Sequence, residues 1–334
     1  MTVPPDPRPR AQRRRPPPAS SAVIARRRLV VGGGTVLGLG ALGIGVREVL
    51  ADDTTGSTSV GAARTPTSSA APTASPSASA TASPGPSASP SAATVQRVEA
   101  PRLAARLESY LDGRSGDLGL ELVDLRRGQS FRYDAEEGYC YSTIKVLVLT
   151  TVLHQLQQDD KQLSARRRRL AERMITRSDN AATESLLAEV GRDEVRRVGD
   201  LVGMGDTTMD GGWWGLWRTT PGDLNAMVGA VLSSDSVLDG SRRAVARFLM
   251  ADVVAEQRWG VFAPESGRVH VAAKNGWGPL PDGYRLNSAG WVSADDREYQ
   301  LAILSNSPAG FRYGRRTISE VADICHRAIG QGLA

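Results

Sequence analysis

Residues 52–94 constrain the folding of this chain more than any other stretch. They form a Ser/Ala/Thr/Pro tract of 43 residues with almost no large apolar side chain. Such a segment cannot bury enough apolar surface to offset the entropy of ordering it, so a disordered linker is expected. As a flexible coil it would reach on the order of 35 Å. The 334 residues therefore divide into an N-terminal segment, 1–51, the linker, 52–94, and a foldable part, 95–334. That last part is long enough for one compact domain burying roughly 70–75% of its unfolded surface.

The segment before the linker reads as an address. Residues 1–28 hold eight arginines and one acid, and residues 29–46 are 18 uncharged residues, seven of them glycine, closed by Arg47 and Glu48. A basic region followed by an apolar one is an export pattern, and Arg26-Arg27-Arg28-Leu29-Val30-Val31 resembles a twin-arginine signal. Two fates stay open. Cleavage after Val49-Leu50-Ala51 would give a secreted product. Alternatively, 18 apolar residues suffice to span a bilayer, with the arginines held on the cytoplasmic side. A long tether favours the membrane anchor. Gly38-Leu39-Gly40-Ala41-Leu42-Gly43 matches a dinucleotide-binding spacing, but it follows no strand and opens no helix, so it is a chance match.

The net charge of +5 belongs to this front end. Residues 95–334 carry 31 basic against 32 acidic side chains, which excludes a nucleic-acid surface there. The arginine run 166–169 reads as a solvated helix face. The chain has only three lysines, Lys145, Lys161 and Lys274, against 38 arginines. Arginine stays protonated and cannot serve as a base, so a chain this sparing of lysine draws attention to those it keeps. Cys140 and Cys325 give no metal-ligand spacing and no disulfide framework; a buried structural role is expected, with a Cys140–Cys325 disulfide open. No metal or cofactor is expected.

Within the foldable part, residues 95–111 have helical spacing, and 118–125 and 129–133 read as strands joined at Arg126-Arg127-Gly128. A helix opens near Ser142, and another, capped by Ser164, runs through Met174-Ile175. Asp179 or Asn180 caps the next, over 181–190, and Thr220-Pro221 starts a further one. Residues 269–273, 288–293 and 299–305 read as strands, and 321–329 as a closing helix. The expected fold is α+β: a five-stranded antiparallel sheet flanked by the terminal helices, with an inserted all-helical subdomain. The cleft between sheet and insert is the natural place for a site.

The stretch Tyr139-Cys140-Tyr141-Ser142-Thr143-Ile144-Lys145, running into the apolar residues 146–153, places a hydroxyl and an amine three residues apart at a helix start. Positions i and i+3 share a face, and the helix N-terminus favours negative charge. A lysine in an apolar wall has its charged form disfavoured and can act as a base. Ser142-Thr143-Ile144-Lys145, Ser178-Asp179-Asn180 and Lys274-Asn275-Gly276 together, in that order, resemble the S-x-x-K, S-D-N and K-T-G set of class A β-lactamases and penicillin-binding proteins. Met174-Ile175 and Ala181-Ala182 are similar too, and the resemblance covers essentially all of residues 95–334.

The resemblance implies a serine hydrolase or acyltransferase with a β-lactamase/transpeptidase-like fold, acting as a monomer. It implies Ser142 as nucleophile, Lys145 as base and Ser178 as proton relay. Asn180 would hold Lys145 and a substrate amide, and Lys274 would supply positive field. The backbone N–H groups of Ser142 and Trp277 would form the oxyanion hole, with Asn275 and Gly276 contacting substrate. The implied substrates are β-lactams or peptidoglycan-type peptides ending in D-amino acids. Two departures stand out. Asn275 replaces the Thr or Ser of the third motif. The region 207–219, where class A β-lactamases carry a deacylating glutamate in an Ω-loop, has no glutamate and only Asp210 as a carboxylate. Acylation is thus expected to outrun hydrolysis. Trp213, Trp214, Trp217 and Trp277 either line a substrate groove or plug the space of a shortened loop. A different class of reading is a non-catalytic protein that binds cell-wall peptides or glycans on the same fold.

Overall fold

The computed structural model describes residues 95–333, so the expectations for the N-terminal segment and linker lie outside the described residues. The first described element corrects an expectation. Residues 95–111 do not form one helix: a two-residue strand, β1 (Gln96–Arg97), precedes helix α1 (Pro101–Leu111). Pro101, which has no N–H to donate, fits only the first turn of a helix, and the helix begins there. Strands β2 (Leu118–Asp124) and β3 (Gln129–Tyr133) follow, paired antiparallel as expected. β2 is buried at all seven positions. A strand with no solvent face belongs inside a sheet, and β2 lies between β3 and the last strand of the chain.

The chain then leaves the sheet. A two-residue strand β4 (Gly138–Tyr139) leads into a 3-10 turn, Tyr141–Ile144, and the helices α2 (Lys145–Gln158), α3 (Ala165–Thr176), α4 (Asn180–Val190) and α5 (Arg192–Leu201). Strand β5 (Arg218–Thr219) pairs with β4, and α6 (Pro221–Gly229) and α7 (Gly240–Ala251) complete the inserted block. Its helix starts follow the local chemistry: Ser164, Asp179 and Thr220 each accept a backbone N–H at the helix they cap.

The chain returns to the sheet with β6 (His270–Leu280), β7 (Gly283–Ala294) and β8 (Arg297–Ser307), and closes with α8 (Phe311–Gln331). The sheet order is β1-β3-β2-β8-β7-β6. The five long strands are antiparallel, as expected; the sixth is the short β1, parallel to β3. β6 and β7 are roughly twice the expected length; in β6, Lys274-Asn275-Gly276 and Gly278-Pro279 have poor intrinsic strand propensity, which hides the continuation from local rules. The register of β6 with β7 carries the ladder through them to the turn at Gly283.

Side chains alternate across the sheet and feed two cores. One packs the sheet against the inserted helices, with Ala272, Ala289 and Ala302 below α2, α4 and α6. The other packs the opposite face against α1 and α8, through Leu120, Leu122, Ala273, Leu301 and Ile303. Leu120 is fully buried there, and Leu120→Ala is expected to destabilise the domain by about 2–5 kcal/mol in urea unfolding.

Candidate active site

α2 does not start at Ser142. Ser142 sits in the 3-10 turn, and the α-helix begins at Lys145. In a 3-10 turn residues i and i+3 eclipse, so the turn keeps the hydroxyl and the amine on one face. Tyr141, just before the serine, has φ +45° and is buried. Ser178 has φ +59°. Left-handed backbone costs a non-glycine residue on the order of 1–2 kcal/mol, and here it occurs beside Ser142 and at the second motif. Such strain persists where surrounding contacts over-determine it.

Those contacts converge on Lys145. Its amine donates to Ser178 O at 2.5 Å, Ser178 Oγ at 3.1 Å and Asn180 Oδ1 at 2.8 Å. All three protons of an ammonium have acceptors, although the side chain is fully buried. Burial pulls the amine from its ordinary range down to about 7, against the opposing pull of the Asp179 and Glu184 carboxylates. Asp179 is itself committed: it caps α4 through Ala182 N and is ion-paired with Arg173. Ser142 Oγ makes no hydrogen bond among the described residues.

β6 supplies the opposite wall, and its alternation sorts the third motif. Lys274 and Gly276 face the inserted helices, and Asn275 faces the other core. Lys274 is buried and donates to Asn275 O at 3.0 Å. Burial first, and the charge of Lys145 second, hold its amine well below the ordinary lysine range. Gly276 packs on the 3-10 turn: a Cβ there would lie 2.8 Å from Ser142 N and 3.0 Å from Thr143 N and Cys140 O. Only glycine lets the strand pass this close to the Ser142 N–H. β6 is one of the sheet's two edge strands, so among the described residues no neighbouring strand takes its outer N–H and C=O groups.

Asn275 corrects an expectation. Its side chain is fully buried, and Nδ2 donates to Gln257 O at 2.7 Å and Trp259 O at 2.9 Å. Both amide hydrogens are used to hold segment 257–259 to the strand, leaving none for a substrate carboxylate. The reason is the strand period of two, which turns residue 275 away from the face of Lys274.

The four tryptophans lie in different environments. Trp214 and Trp217 are buried in the core of the inserted block. Trp277 packs edge-on with Trp259 and against Phe311, on the α8 side. Trp213 alone of the loop trio is exposed, at 41%, with its ring edge-on to Tyr141. The two cysteines are free and buried. Burial pushes the Cys140 thiol far above its ordinary range and Cys325 up to about 12, so neither is a ready nucleophile.

One residue of the site was missed in the sequence. Glu184 lies one turn after Asn180 on α4, and its Oε1 accepts the indole N–H of Trp214 at 2.5 Å. The face of the same indole lies under Lys145, with Nζ 5.0 Å from the ring centroid. The i, i+4 spacing from Asn180 is the signal the sequence offers for it. Asp210, the carboxylate of that region, is exposed.

Residues 165–329 match the beta-lactamase enzyme family. Solved structures with similar folds include a β-lactamase from Sphaerobacter thermophilus, 19% identical, at a TM-score of 0.61 over 70% of this chain and 99% of that one. PBP-A is 18% identical at 0.62, over 71% and 99%; a mutant of it has been solved as an acyl-enzyme complex with penicillin G. A β-lactamase from Streptosporangium roseum is 21% identical at 0.61, over 70% and 100%. At these identities the likeness is one of fold. A search among curated protein sequences gave no match.

Proposed function

We propose that this chain, whose residues 165–329 match the beta-lactamase enzyme family and whose fold is like those of β-lactamases and PBP-A, is an exported serine hydrolase or acyltransferase of the β-lactamase and penicillin-binding superfamily. In this reading Ser142 forms an acyl-enzyme with β-lactams or with cell-wall peptides ending in D-amino acids. The observation that carries the reading is the Lys145 amine, buried, lowered to about 7 and gripped by Ser178 and Asn180 one turn from Ser142. Neutral Lys145 takes the Ser142 proton as Oγ attacks the carbonyl carbon. Ser178, within reach of the same amine, passes the proton to the leaving nitrogen. The N–H groups of Ser142 and Trp277 receive the developing oxyanion in the narrow gap that Gly276 keeps open. Lys274 adds positive field from below the strand when protonated.

The expected result is a mass increase of one ligand when the full-length protein is incubated with benzylpenicillin, with peptide mapping placing the adduct on Ser142. An adduct on another residue, or neither adduct nor turnover with β-lactams and D-Ala-D-Ala peptides alike, would sink the reading. Export and membrane attachment through residues 29–46 belong to the same proposal; fractionation of cells producing the full chain tests them, with a cytosolic product as the contrary outcome.

A further inference from the structure

The geometry points to Glu184, held by the indole N–H of Trp214, as the base that activates water against the Ser142 acyl-enzyme, in place of a carboxylate from the 207–219 loop. The inference rests on the acyl-enzyme reading above and concerns its second half.

Four observations converge on Glu184. It projects from α4 one turn beyond Asn180, whose side chain already holds Lys145, so the helix aims it along the same face. Its Oε1 is fixed by a donor from a fully buried ring, and a buried indole N–H is a directional anchor. The side chain is nonetheless exposed, and Oε2 accepts no hydrogen bond among the described residues. Finally, it is not hydrogen-bonded to Lys145: the amine donates to Ser178 and Asn180 and lies over the face of the Trp214 ring, whose edge N–H holds the carboxylate. Its charge is felt at the amine all the same. A carboxylate fixed at one oxygen, open at the other and next to the acylation machinery has the form of a general base. The other nearby carboxylate, Asp179, has its oxygens committed to Arg173 and Ala182 N.

The step balances with water as co-reactant. A water proton passes to Glu184 Oε2 as the water oxygen bonds to the acyl carbonyl carbon. The bond from that carbon to Ser142 Oγ then breaks, and the proton taken from water is returned to Oγ. The products are a free carboxylic acid and the serine hydroxyl. Trp214 acts as a positioning residue, because its N–H sets where the carboxylate stands.

The test is pre-steady-state intact mass spectrometry of the full-length protein with benzylpenicillin at pH 8, comparing wild type with Glu184→Gln and Trp214→Phe. The amide of E184Q keeps the shape of the carboxylate and loses its basicity, so deacylation should slow about 10²-fold while acylation stays within about threefold. Trp214→Phe keeps a ring beside Lys145 but frees the carboxylate. It should slow deacylation by about tenfold while acylation stays within about threefold, a split that mere loss of packing would not produce. Unchanged deacylation in E184Q, or acylation and deacylation falling together, overturns the inference alone. No adduct in wild type or variants overturns the acyl-enzyme reading and this inference with it.

Discussion

Lys145→Arg should reduce the rate of Ser142 acylation by about 10²–10⁴-fold, the contribution of a well-placed general base. Arginine keeps the positive charge and the capacity to donate to Ser178 and Asn180, but it cannot be deprotonated in a protein. The substitution therefore separates the lysine's role as a base from its role as a structural cation. The wild-type pH dependence supplies the second arm. Burial holds the Lys145 amine near 7, and only the neutral amine can take the serine proton. Acylation should thus rise about tenfold per pH unit below 7 and level off above it. An unperturbed lysine would keep the rate climbing to beyond pH 10. Stopped-flow acylation by a chromogenic cephalosporin between pH 5 and 10 reads both arms. A midpoint above pH 9, or an arginine variant within a factor of three of wild type, would remove Lys145 from the role of base.

That the variant is folded can be checked at the second motif. Ser178 and Asn180 sit at the junction of α3 and α4, where Asp179 caps one helix and is ion-paired to the other. A collapsed junction would lower the melting temperature by several degrees, whereas loss of the base alone leaves it near wild type.

Local rules made much of this molecule legible before its structure. The caps at Ser164, Asp179 and Thr220, the β2–β3 pair and the order of the three motifs all rest on short-range chemistry that a sequence displays. What failed depended on the ladder or on contacts distant in sequence. β6 runs through Lys274-Asn275-Gly276 because β7 holds it there, so the motif lies within a strand rather than at its end. The same strand period turns Asn275 toward Gln257 and Trp259, and no local signal near residue 275 announces those partners. Glu184 and Trp214 are 30 residues apart and meet only because the loop after α5 folds back over α4. The loop itself has no glutamate; its tryptophan holds one that α4 supplies.

Gly276→Ala should be the most damaging single methyl group in the site, lowering acylation by about 10²–10³-fold, as loss of one oxyanion donor does. The glycine is not needed for an unusual backbone angle; it is needed for space. The added carbon would lie 2.8 Å from Ser142 N and 3.0 Å from Thr143 N and Cys140 O, all backbone atoms that cannot swing aside as a side chain would. Either the strand or the 3-10 turn must therefore retreat, and either movement opens the gap in which the Ser142 N–H would meet a developing oxyanion. Overpacking of this kind costs typically about 1–3 kcal/mol of stability, too little to unfold an ordinary domain. The partners of Lys145 at the α3–α4 junction are untouched, so the variant should retain an acylation midpoint near pH 7 while its plateau falls. That combination assigns the loss to the oxyanion side of the site rather than to the base. A plateau within threefold of wild type would mean that the close approach of β6 to Ser142 serves packing alone.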